Sequence, residues 1–297
     1  TMSKKILLFI ISPMLIMGIL LNPKTPSNAM SAQPTPPHQQ PDNVETELWE
    51  VLSREGSTDY VVEMAEHADL SAAYSMGDWD ARGWFVYETL KETAARTQVP
   101  VITYLEDNGL SYQSFFAGNE VMVFNGALRS IETLAALPGV SQIRSPRTAT
   151  IEPIQQERTI VTDAQINSLA WGIGYAGADD FWSAFGFQGD GILVANIDTG
   201  VQWDHPALDQ SFKCGTDPTD PACWEDPSNV CGGSACDVHW HGTHTMGTMV
   251  GDDDPSLTYQ AGMAPNAQWI ACLGCDMEDE NDQCPEVALN TCADWIL

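Results

Sequence analysis

Short, nearly continuous apolar runs at residues 192–197 and 268–272 alternate with helical patterns at 241–250 and 285–297. A strand without polar alternation is buried on both faces, and strands joined through helices pair in parallel. The second half is therefore expected to be α/β, a parallel sheet with helices on both faces. Such sheets bind ligands beyond the carboxyl ends of their strands. Asp198 follows directly on the first run, where a functional carboxylate would sit.

The first half has a different pattern. Residues 59–64 predict a strand and 84–97 a helix. The runs 112–116 and 121–124 are separated by Ala117-Gly118-Asn119-Glu120, a hairpin connection. Residues 128–137 predict a helix with Leu128, Ile131, Leu134 and Ala135 inward, Pro138-Gly139 stops it, and 140–144 close as a strand. Strand-helix-strand-strand-helix-strand is the ferredoxin-like order. The length of 297 residues, 43% of them apolar, suits two cores of this kind. The expected boundary lies at 150/151.

The N-terminus predicts export. Lys4-Lys5 precede an apolar stretch over 6–21, and small residues at Ser27-Asn28-Ala29, or Ala32, offer a cleavage point. Residues 1–32 are thus expected to be a signal peptide and 33–45 a Pro-rich linker. All eight cysteines lie between Cys214 and Cys292. An even count in an exported chain favours disulfides, two local bridges each within 214–236 and 272–292. Net charge is −29, with 24 of the 41 acidic residues in 151–297 against Arg158 and Lys213. That field repels phosphate backbones, so nucleic acid is excluded as a partner.

Several motifs invite other chemistry. Asp198-Thr-Gly200 is shared with aspartic proteases, but these need two copies and the chain has one. His239, His241 and His244 are spaced as zinc ligands, yet Thr243 stands where the metallo-hydrolase pattern wants an acid. Cys272-Leu-Gly-Cys275 has no second CxxC. The glycines at 186–191 precede a strand instead of following one, which rules out a dinucleotide loop.

The succession of motifs is more specific than any one of them. Gly189-Asp-Gly191 leads into the strand and Asp198-Thr-Gly-Val201, then His205-Pro206, His241-Gly-Thr-His-Thr-Met-Gly247 and Gly262-Met-Ala-Pro-Asn-Ala267. With Trp171-Gly-Ile173 and Ala178-Asp-Asp-Phe-Trp182 before it, this order resembles the subtilisin-like serine peptidases, and among them the bacillopeptidase F branch. The resemblance implies a secreted endopeptidase precursor that hydrolyses peptide bonds with an Asp-His-Ser triad. Asp198 would orient the imidazole and His241 would be the general base. His244 would be structural, and Gly242 and Gly247 would let the helix approach the sheet. The first half, 46–150, would be the propeptide, an intramolecular chaperone and inhibitor, with self-cleavage somewhere in 145–158.

Two departures stand out. Ala207 replaces the Asp that follows the His-Pro pair in many members, leaving structural calcium unsupported; catalysis needs no cofactor. No Gly-Thr-Ser precedes a small residue, and Ser234 lies in the cysteine loop. Nucleophile and oxyanion-hole Asn are expected beyond Leu297, so the chain by itself is expected to be inactive. The alternatives are a non-catalytic, propeptide-like inhibitor or binding module, and a zinc hydrolase using His239, His241 and His244.

Overall fold

The computed structural model describes residues 39–151, 169–252, 260–276 and 283–297. The signal segment, residues 33–38 of the linker and residues 152–158 of the cleavage stretch lie outside them. Among the described residues no helix is long and apolar enough to cross a membrane.

The first half contains α1 (Thr46–Glu55), β1 (Ser57–Met64), α2 (Trp79–Thr97), α3 (Val99–Asp107), β2 (Tyr112–Phe115), β3 (Glu120–Ala127), α4 (Leu128–Ala135) and β4 (Val140–Arg144). Its antiparallel sheet runs β2-β3-β1-β4. Tyr60, Val62 and Met64 alternate onto the face covered by Leu48 and Leu52 of α1, Val101 and Leu105 of α3, and Ile131 and Leu134 of α4. Asp78 caps α2, its carboxylate accepting the Ala81 amide at 2.8 Å. That cap extends the helix five residues upstream of the expected start.

Three features depart from expectation. α1 is an additional helix, and the end of the expected linker is folded: the Glu45 amide donates to Ile143 O and the Ile143 amide to Asn43 O, both at 2.8 Å. α3 carries Pro100 and four β-branched residues, a composition that argues against helix. Pro100 is tolerated in the first turn, and burial of Val101 and Leu105 overrides the weak propensity.

The second half holds α5 (Trp171–Ala176), α6 (Ala178–Phe185), β6 (Leu193–Asp198), β7 (Trp224–Glu225), α7 (His241–Val250), β8 (Gln268–Leu273), β9 (Gln283–Pro285) and α8 (Glu286–Ile296). Its sheet is parallel, β6-β8-β7, with Asp198 opposite Leu273. The core gathers Trp269, Ala271 and Leu273 of β8, Met246 and Val250 of α7, and Phe212 and Trp224. Disulfides join Cys214 to Cys223, Cys231 to Cys236, Cys272 to Cys292 and Cys275 to Cys284, two within each expected group.

The halves pack together within the unit Gln40–Leu297. Val61, Phe115 and Met122, on the sheet face opposite the first core, meet Val287 of α8. Asp294 accepts the backbone amides of Phe116 at 3.0 Å and Ala117 at 2.8 Å. Arg144, its side chain 3% exposed, pairs with Glu63, Glu120 and Glu286. Beyond it β5 (Thr148–Thr150) runs antiparallel to β9, with Ala149 opposite Cys284.

Candidate active site

Strand β6 delivers Asp198 to the carboxyl end of the parallel sheet, and the first residue of α7 is His241. The two meet: His241 Nδ1 lies 2.7 Å from Asp198 Oδ1. Asp198 is 8% exposed. A carboxylate removed from water needs donors, and it has them. The Thr199 amide donates to Oδ1 at 2.7 Å and the Thr245 hydroxyl to Oδ2 at 2.9 Å. The Asp198 carbonyl accepts the amides of Gly274 at 3.0 Å and Cys275 at 3.1 Å, which anchors the strand end.

Two glycines allow this approach. A Cβ on Gly242 would lie 1.9 Å from Gly200 O, and one on Gly200, whose φ is +91°, would lie 2.1 Å from Cys236 O. Gly247, expected to serve the same purpose, has open space where its Cβ would be. The close contact belongs to the first turn of α7 and not to its second.

His244 is exposed one turn along and lines a cavity with Trp171, His205 and Trp240. His239 donates its amide to Asp237, and its ring Nδ1 is buried without a partner. His239, His241 and His244 therefore do not converge, and among the described residues no three His, Cys, Asp or Glu side chains are grouped to hold a metal. Cys272 and Cys275 are committed to disulfides. Among the described residues no hydroxyl bonds to His241; Ser234 lies in the loop between Cys231 and Cys236.

Residues 189–285 match the subtilase family. The chain is 33% identical over 224 residues to bacillopeptidase F of Bacillus subtilis (strain 168), covering 71% of this chain and 15% of that protein. It is 37% identical over 119 residues to the minor extracellular protease Vpr of the same organism, covering 38% and 13%. A solved structure of the epidermin leader peptide processing serine protease from Staphylococcus aureus aligns at a TM-score of 0.42 and 15% identity, over 74% of this chain and 43% of that one. The chain thus spans about a seventh of the length of these Bacillus relatives. Over residues 189–285 it is a member of the subtilase family.

Proposed function

We propose that the chain is the N-terminal part of a secreted subtilisin-like serine endopeptidase precursor, with Asp198 and His241 as two members of an Asp-His-Ser triad. The observation that carries this reading is the 2.7 Å contact between His241 Nδ1 and a carboxylate enclosed by donors. With Nδ1 bound to Asp198, Nε2 is the nitrogen free to take a hydroxyl proton. The buried carboxylate then stabilises the imidazolium that forms. A serine attacking a peptide carbonyl needs this base because its hydroxyl is a poor nucleophile alone.

The first half supports a propeptide role through its connectivity. A sheet ordered β4-β1-β3-β2 with helical crossings has the ferredoxin-like order, and it is seated on α8, the helix that directly follows the subtilase-matched residues 189–285. Export is supported by the basic and apolar N-terminus, the disulfides, and a relative named as an extracellular protease. No cofactor enters the reaction; calcium would be structural.

The test uses the full-length protein. It should hydrolyse casein, be blocked by a serine-directed sulfonyl fluoride and be indifferent to a zinc chelator. His241→Ala should lower kcat by about a millionfold, the known cost of losing this base in subtilisin. Residues 1–297 alone should be inactive. Activity lost to the chelator and restored by zinc but not by calcium, or activity surviving His241→Ala, would overturn the assignment.

A further inference from the structure

Asp237 precedes His241 by four residues and carries no role in the chemistry above. Its carboxylate is nevertheless the most heavily bonded group around the site. Oδ1 accepts the Thr199 hydroxyl at 2.8 Å, the His239 amide at 3.0 Å and the Trp240 amide at 2.8 Å. Oδ2 accepts the Thr243 amide at 2.7 Å and the Thr243 hydroxyl. Thr199 is fully buried beside Asp198, and its oxygen also accepts the Gly242 amide at 2.9 Å. Two residues therefore connect the end of β6 to the entry of α7 on either side of the Asp198–His241 contact.

Trp240 shows what this bonding holds in place. Its φ is +71°, a left-handed conformation that a bulky side chain adopts only where its surroundings enforce it. That turn aims the helix so that His241 faces Asp198. An amide donor on Trp240 and a hydroxyl on Thr199 converge on one oxygen of Asp237, so the turn and the strand end are fixed to a common point.

We infer that Asp237 and Thr199 form a positioning clasp that sets the geometry of the Asp198–His241 pair. The inference rests on the peptidase reading for what the pair does, but the clasp itself has a separate readout. Thr199→Ala removes the hydroxyl that joins Asp237 to Gly242, whereas Thr199→Ser keeps it. Asp237→Asn puts an NH2 group where one carboxylate oxygen accepted donors, so two or three of the five bonds are lost.

The experiment compares the full-length wild type with these three variants. The low-field proton resonance of His241 Nδ1 should be lost in Thr199→Ala and Asp237→Asn and retained in Thr199→Ser. In parallel kcat should fall by about a hundredfold, the penalty of a reacting group misplaced by an ångström. KM should stay within about twofold, since binding is not what the clasp serves. Variants that lose thermal stability while keeping both the resonance and kcat would overturn the inference and leave a merely structural bond network. If wild type cleaves nothing, the peptidase reading fails and the resonance alone decides the clasp. Should the variants not fold, amide exchange in wild type decides: slow exchange at Gly242 and Thr243 supports the clasp, and exchange as fast as in an open loop overturns it.

Discussion

The guanidinium of Arg144 forms two hydrogen bonds with the carboxylate of Glu286, at 2.8 and 2.6 Å, across 142 residues of chain. The pair joins the last strand of the first half to the first turn of α8. Burial works against the charge of Arg144, and the bonds from Glu286 and Glu63 more than offset it, so the side chain is held protonated.

Arg144→Met should therefore be severely destabilising. It leaves Glu63, Glu120 and Glu286 facing one another without a cation. Removing one partner from a buried ion cluster costs about 3–5 kcal/mol. Urea unfolding of wild type and variant measures this, and a difference below about 1 kcal/mol would contradict the role given to Arg144.

The same cluster gives stability two opposed pH dependences. The Glu120 carboxyl is held above its ordinary range, first by burial and then by Glu286. Its contribution is complete below the unfolded pKa and is lost as pH rises through the raised folded value. Burial alone would also raise Glu286, but its bonds with Arg144 and the Arg147 amide hold it below its ordinary range. That contribution is present above the unfolded pKa and is lost as pH falls through the lowered folded value. Glu120→Gln should flatten the decline on the rising side, and Glu286→Gln the decline on the acid side. Unfolding midpoints across a pH series from about 4 to 8 should show the two effects separately; parallel profiles for all three proteins would refute the assignment.

Gly242→Ala and Gly247→Ala should differ in sign although both lie in α7. The first forces a methyl group onto Gly200 O, which must push the helix and His241 away from Asp198. Overpacking of this kind costs about 1–3 kcal/mol or more. The second meets open space, and replacing glycine inside a helix stabilises by about 0.8–1 kcal/mol. Thermal unfolding of the two single variants reads both signs.

Removing the Cys272–Cys292 bridge should cost more than removing Cys231–Cys236. The first closes a span of 20 residues and the second a span of 5. Loop-closure entropy makes the difference about 1 kcal/mol. Denaturation of the two double-alanine variants gives the comparison, and an equal cost would show that native contacts outweigh the loop term.

The second half was legible where local sequence and tertiary demand agree. The continuous apolar run of β6 announced a parallel strand whose end located Asp198, but burial on both faces belongs to the central strand β8; β6 lies at the sheet edge with Leu193 half exposed. The small-residue opening of α7 marked His241 in the same way. Asp237 went unnoticed because an Asp in a cysteine-rich loop is ordinary in composition; its importance comes from five donors gathered by folding. Asp-x-x-x-His was the available signal, with the carboxylate four residues ahead of the imidazole in the turn that leads into α7. In the first half α3 was hidden by Pro100 and its β-branched neighbours. The doubly apolar stretch Tyr60-Val61-Val62 did hint that both sheet faces are covered, but only the fold shows that α8 supplies the second cover. The pairing of β5 with β9 joins segments more than 130 residues apart, and no local pattern encodes it.

The distribution of cysteines sets an order of assembly. Residues 1–213 contain none, and all eight fall in the 79 residues from Cys214 to Cys292. A chain emerging from its N-terminus completes the half that needs no oxidant before the half that does. The apolar contact at Val287 and the Cys272–Cys292 bridge thus hold the same helix from two sides, one to the cysteine-free half and one to the parallel sheet.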